Sequence, residues 1–161
     1  MRGTWMVVAL AVACSGSSLP EMQVEEGSPE HRQLLQRQCD RGDATGCEGL
    51  GALMVADGEH AAARGLFQRA CDGLSASGCY RLGELLDDER AGVVDAAGAA
   101  AATILACDGG HGPACVALGT RYLEGRGVPE DSSLAKQAWD KGCALGDTES
   151  CSRAAEVGGE E

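Results

Sequence analysis

Eight cysteines recur as four C-x7-C pairs, and the first members, Cys39, Cys71, Cys107 and Cys143, lie 32, 36 and 36 residues apart. A period of this size is the mark of stacked helical hairpins rather than one continuous core. Eight thiols permit on the order of 100 connectivities. The regular spacing selects local ones: Cys39 with Cys47, Cys71 with Cys79, Cys107 with Cys115, and Cys143 with Cys151. The seven residues inside each pair (DRGDATG, DGLSASG, DGGHGPA, ALGDTES) carry helix breakers. The first cysteine therefore closes one helix and the second opens the next. Two antiparallel helices on a short turn bring such positions within the ~5.5 Å that a disulfide spans.

The rest of the composition explains why such staples are wanted. Aromatic residues are 3% of the chain, and glycine supplies 24 of 161 positions, about double the usual ~7%. Backbones can then approach closely, but little apolar area is buried per residue. Closing a loop of about nine residues contributes at most roughly 2.5 kcal/mol in the chain-entropy model. Four closures approach about 10 kcal/mol, the scale of a whole domain's stability. Nine cysteines in so small a chain also ask for an oxidising compartment. The net charge of −12 argues against nucleic acid and against docking on anionic lipid through a basic face.

The N-terminus reads as an address. Arg2 precedes an apolar run from Trp5 to Ala13, far short of the ~20 residues that span a bilayer. Ala11-Val12-Ala13-Cys14 resembles the lipobox of bacterial lipoproteins, although that family prefers Leu where Ala11 stands. The resemblance implies a signal peptide over 1–13 and a lipid anchor on Cys14. The alternative is ordinary cleavage after Ala13, releasing a soluble exported protein. Acylation of Cys14 would leave no odd thiol. Residues 14–29 read as a flexible tether, 30–157 as the repeat domain, and 158–161 as a disordered tail.

Each second cysteine opens a helix A. Leu50, Leu82 and Leu118 follow it by three residues, and Met54, Leu86 and Tyr122 by seven; this spacing lines one helix face. Gly51, Gly83 and Gly119 come next after the leucines and let a neighbouring helix approach. In helix B, Ala63, Ala99 and Ala135 align as small positions. Phe67 and Trp139 align as bulky ones, with Thr103 between them in the series.

The third repeat holds the most specific pattern: Leu118-Gly119-x-x-Tyr122-x-x-Gly125-x-Gly127-Val128-x-x-Asp131, then Ala135, Lys141 and Cys143. It resembles the Sel1-like repeat, a relative of the tetratricopeptide repeat, and the C-x7-C pairs resemble its cysteine-rich, beta-lactamase-like secreted branch. The first repeat is four residues short near Asp57-Gly58. The second keeps only Asp95 of the G-V-x-x-D register, and the fourth keeps only helix A. The fold expected is all-α: a right-handed superhelical solenoid of antiparallel helix pairs stapled by disulfides. It has an N-terminal helix from about residue 30 and about three and a half repeats.

Catalytic and metal chemistry finds little support. His31, His60 and His111 are single and far apart, and no tight zinc-type cysteine spacing occurs. No metal or cofactor is expected. Ser133-Leu134-Ala135-Lys136 matches S-x-x-K, yet neither S-D-N nor K-T-G accompanies it. A beta-lactamase-like or cell-wall-peptide hydrolase is the alternative that the resemblance leaves open. Arg41-Gly42-Asp43 spells an adhesion tripeptide, but it falls in a cysteine loop where Gly and Asp serve the turn.

The same resemblance implies that helix A lines a concave face. That face would carry Glu48, Tyr80, Val116 and Ser152, then Ala52, Glu84, Thr120 and Glu156, with Asp87, Asp88 and Glu124 at its rim. It reads as acidic with one exposed aromatic, which suits a basic peptide or protein segment. The expectation is a monomeric, lipid-anchored or exported envelope protein whose solenoid binds another protein.

Overall fold

The structure, a computed structural model, describes residues 26–157. The expected signal peptide, Cys14, most of the tether and the tail at 158–161 lie outside the described residues.

Eight helices follow in order: α1 (Pro29–Asp40), α2 (Ala44–Ala56), α3 (His60–Asp72), α4 (Ala76–Leu86), α5 (Ala96–Asp108), α6 (Gly112–Glu124), α7 (Ser132–Ala144) and α8 (Thr148–Val157). A short 3-10 turn, Glu89–Ala91, joins α4 to α5, and no strand occurs among the described residues. Each helix packs on its neighbours in sequence, which is the all-helical solenoid.

Helix starts follow the capping residues. Ser28, Asp43, Ser75, Asp95 and Asp131 each accept a backbone N–H from the first turn of the helix they precede. Ser28 caps α1 by accepting from the His31 N–H, and Pro29 takes the first helical position, where its fixed φ fits and no N–H is missed.

Disulfides join Cys39 to Cys47, Cys71 to Cys79, Cys107 to Cys115 and Cys143 to Cys151, with Cα–Cα separations of 4.4, 4.4, 4.7 and 4.5 Å. They cross the junctions α1/α2, α3/α4, α5/α6 and α7/α8. These junctions pack less extensively than α2/α3, α4/α5 and α6/α7. Covalent bonds thus sit where the noncovalent interface is thinner.

The broader interfaces depend on a glycine meeting a helix-B side chain. Gly51 lies on the Phe67 ring, Gly83 on Thr103 and the Ala99 carbonyl, and Gly119 on the Trp139 indole. Phe67, Thr103 and Trp139 are all fully buried. Thr103 donates its hydroxyl proton to the Ala99 carbonyl at 2.7 Å, so the one polar residue of this series is satisfied inside its own helix. Around these pairs the core is mostly alanine and cystine, including Ala63, Ala99, Ala106, Ala114 and Ala135.

The loop from α6 to α7 shows what the third repeat's glycines do. Gly125 ends α6 in the left-handed conformation at φ 66°. Gly127, at φ 75°, presses on the Ala96 carbonyl at the start of α5, where no side chain would fit. The loop thereby reaches into the preceding repeat.

At Gly119 an added Cβ would fall 2.2 Å from Trp139 Nε1, and that Nε1 donates to the Val116 carbonyl at 3.1 Å. Gly119→Ala is therefore expected to destabilise the chain by about 3 kcal/mol through overpacking. Urea unfolding followed by Trp139 fluorescence measures this; an unchanged midpoint would contradict the close approach.

Candidate functional site

The helix-A series of α2, α4, α6 and α8 carries every residue expected on the binding face, but it does not gather them into one site. Three of them, Glu48, Tyr80 and Glu84, are engaged by four neighbours. Glu48 on α2 accepts from the hydroxyls of Ser75 and Ser77, each at 2.7 Å. It therefore ties α2 to the capping turn of α4 and is engaged rather than free. Tyr80 on α4 lies against the His111 ring with centroids 4.9 Å apart and planes tilted by 41°. Glu84, one turn on, pairs with Arg81 at 3.0 Å.

The other three stand apart. Thr120 donates to the Val116 carbonyl at 3.1 Å, and the same carbonyl takes the Trp139 indole proton. Ser152 donates to the Thr148 carbonyl at 3.1 Å. The two hydroxyls serve their own helices, and the Val116 carbonyl also ties α6 to α7.

Two expectations need correction. Tyr80 is not an exposed aromatic: it is half-buried, because His111 from the start of α6 covers it. The rim is also less acidic than its sequence. Asp87 accepts from Arg121 at 2.5 Å and from Arg126 at 3.2 Å. Asp88 binds Arg90 at 2.8 Å and faces His60 at 3.7 Å, and Glu124 lies 3.7 Å from Arg126. Arg121 is buried, with its Nε and Nη1 unpartnered among the described residues. It occupies the position that Leu53 and Leu85 hold in the two earlier repeats, and Asp87 is the counter-charge that permits it there.

A groove runs between α2 and α4. Its apolar end, a hollow of about 200 Å³, is lined by Ala52, Val55, Phe67 and Leu85 with Arg81 and Glu84 at its edge. It opens into a wider cleft of about 600 Å³ beside His60, Asp87, Asp88, Glu89 and Arg90. Glu89 is exposed and has no cation among the described residues. His60, His111, Ser75, Ser77 and Arg81 were not legible as site residues. Ser75 and His111 stand at the N-caps of α4 and α6, His60 and Ser77 in the first turns of α3 and α4, and Arg81 within α4 itself; the helix-A register alone did not signal them.

The catalytic and adhesion motifs are accounted for by local structure. Ser133 is exposed on the first turn of α7, and Lys136 is held by Asp140 at 2.9 Å. Neither lines the groove between α2 and α4. Asp43 caps α2, and Gly42 turns the chain at φ 86°. No cluster of three metal-ligating side chains occurs among the described residues, and no described helix is long and apolar enough to cross a membrane.

The Tyr80–His111 contact leaves a titration signature. Burial pushes the Tyr80 hydroxyl above its ordinary 10.0, and Glu84 adds to the rise. Burial pushes His111 below its ordinary 6.5, with Arg81 adding to the drop. In the window just below pH 6.5 the unfolded chain then binds more protons than the folded one, so stability falls as pH drops through it. Proton NMR of the imidazole should give a His111 midpoint below 6.5 that returns toward that value in Tyr80→Ala. An unshifted midpoint would contradict the covered pair.

No protein-family model matches the sequence, and no curated protein matches it. Solved structures do. A Sel1 repeat protein from Oxalobacter formigenes is 25% identical with a TM-score of 0.67, covering 77% of this chain and 96% of that one. Helicobacter pylori cysteine rich protein B is 23% identical with a TM-score of 0.62, covering 76% and 91%. A protective antigen of uropathogenic Escherichia coli displaying an SLR fold is 23% identical with a TM-score of 0.64, covering 78% of this chain and 31% of that one. The stacked helical hairpins agree with these neighbours: the described residues have the fold of a Sel1-like repeat protein.

Proposed function

We propose that the chain is an exported, envelope-located protein-interaction module that binds a segment of another protein along the helix-A face. The observation that carries this reading is the groove between α2 and α4. Its apolar hollow of about 200 Å³ continues into a polar cleft of about 600 Å³, a size and lining suited to successive side chains of an extended or helical segment. The chemistry favours a basic partner, but through few groups. Glu89 is the carboxylate at the cleft without a cation, and Glu84 exchanges Arg81 for a competing one most readily because both are exposed. Other acids at the rim are spoken for by Arg90, Arg121 and Arg126.

Export is supported by four disulfides, which persist in oxidising compartments. Anchoring through lipid on Cys14 belongs to the same proposal and rests on the Ala11-Val12-Ala13-Cys14 sequence. Mass spectrometry of the N-terminal peptide from the native host would show a diacylglyceryl-modified Cys14, or an unmodified one if the soluble form is correct.

The binding reading is tested by the double variant Tyr80→Ala/Glu84→Lys. Affinity capture from envelope extracts should retain at least one protein with the native chain and recover it about tenfold less with the variant. Equal recovery by the two would overturn the assignment of this face.

A further inference from the structure

The four disulfide junctions are built alike, with two departures that meet in space, one in the loop of the second junction and one on α5 just before the third. The third residue after the first cysteine is left-handed in every loop. It is Gly42, Gly110 and Gly146 in three of them, at φ 86°, 91° and 87°, and Leu74 in the second, at φ 64°. Leucine is strained there, because its Cβ crowds the backbone. Its side chain gains no burial in return: Leu74 is 90% exposed.

The second departure concerns a ladder of ion pairs. Two residues before the first cysteine, the other helices carry Arg37, Arg69 and Lys141. Arg69 reaches Asp40, the residue just after the previous repeat's first cysteine, at 3.8 Å. Lys141 reaches the equivalent Asp108 at 2.6 Å. At the intervening rung the cation is replaced by Leu105, which is 56% exposed. Its counterpart Asp72 keeps only the Gln68 amide, at 2.9 Å, and has no cation among the described residues.

Leu74, Leu105 and Asp72 line one groove of about 470 Å³ between α3 and α5, floored by Leu82 and Leu86. It lies on the opposite side of α4 from the hollow formed by Ala52, Val55 and Leu85. A strained apolar side chain in solvent, a leucine in the cation position and an open groove at one rung point to a partner that supplies what the rung lacks. We infer that the α3/α5 groove is a second docking surface, and that its partner is a protein helix presenting an aliphatic residue with a Lys or Arg one turn away. The aliphatic side chain seats between Leu74 and Leu105. The cation takes the place at Asp72 that Arg69 and Lys141 take at the neighbouring rungs. Asp72 is also the last residue of α3, where the helix dipole favours positive charge. A second copy of this chain is a poor occupant, since each copy carries a net charge of −12.

The probe is a synthetic amphipathic helix bearing Leu and Lys at i, i+4, with a counterpart bearing Glu in place of Lys. The target is the disulfide-bonded chain with its leucine methyls labelled for NMR. The Leu/Lys peptide should shift the Leu74 and Leu105 methyls but not Leu85, and the Leu/Glu peptide should bind at least tenfold more weakly. The variant Leu74→Gly/Leu105→Lys restores the pattern of the other rungs, so it folds with a Tm no lower than the native chain's. It should bind the Leu/Lys peptide at least tenfold more weakly. Equal binding by the variant, equal binding of the two peptides, or no binding by the native chain would each overturn the inference. Sedimentation showing a native dimer that the variant abolishes would overturn it in favour of self-association.

Discussion

The structure depends on covalent closure of the helix junctions. Each disulfide locks the end of a helix B to the start of the next helix A, and those junctions pack less extensively than the pairs within a repeat. A chain so rich in alanine and glycine cannot compensate with large side chains. Phe67 and Trp139 are the only fully buried aromatics among the described residues, and each needs a glycine, Gly51 or Gly119, to admit it. Local cross-links restrict the unfolded chain, while the repeat geometry repeats the same small solution along the rod. Noncovalent packing and covalent closure thus divide the work between alternate interfaces.

That division frees the two long faces for other uses. On the helix-A side the groove combines Val55, Leu85 and the Phe67 edge with charged groups that mostly satisfy one another. Arg121 illustrates the consequence. A buried guanidinium in a leucine position would be costly alone, and Asp87 is drawn out of the rim to meet it. An acid that looks available for a ligand is in this way used by the fold. On the opposite side the ladder Arg69–Asp40 and Lys141–Asp108 is interrupted at Asp72, which leaves one rung chemically incomplete.

Much of the architecture was legible because the relevant residues repeat at a fixed interval. The helical hairpins, the local cysteine pairs and the close helix approach at Gly51, Gly83 and Gly119 follow from spacing along the chain. The face assignment was legible only helix by helix. Periodicity places Tyr80 and Glu84 on one side of α4, but it says nothing of what the next repeat brings over them. His111 covers Tyr80 from 31 positions away, and Arg121 reaches Asp87 from 34. Such contacts depend on the rotation between hairpins, which the sequence of a single hairpin does not encode. The Leu74 and Leu105 substitutions were visible as letters, yet their meeting required the groove between α3 and α5.

The central claim is that disulfides carry stability that an aromatic-poor core does not. Far-UV circular dichroism of the chain during heating, with cystines intact and after full reduction and alkylation, tests it directly. Four closures amount to about 10 kcal/mol in the chain-entropy model, most of a typical domain's total. The account predicts a cooperative melt for the oxidised chain and loss of most helical signal at 25 °C once the sulfurs are capped. A reduced, alkylated chain that keeps its helicity and melts at the same temperature would contradict it.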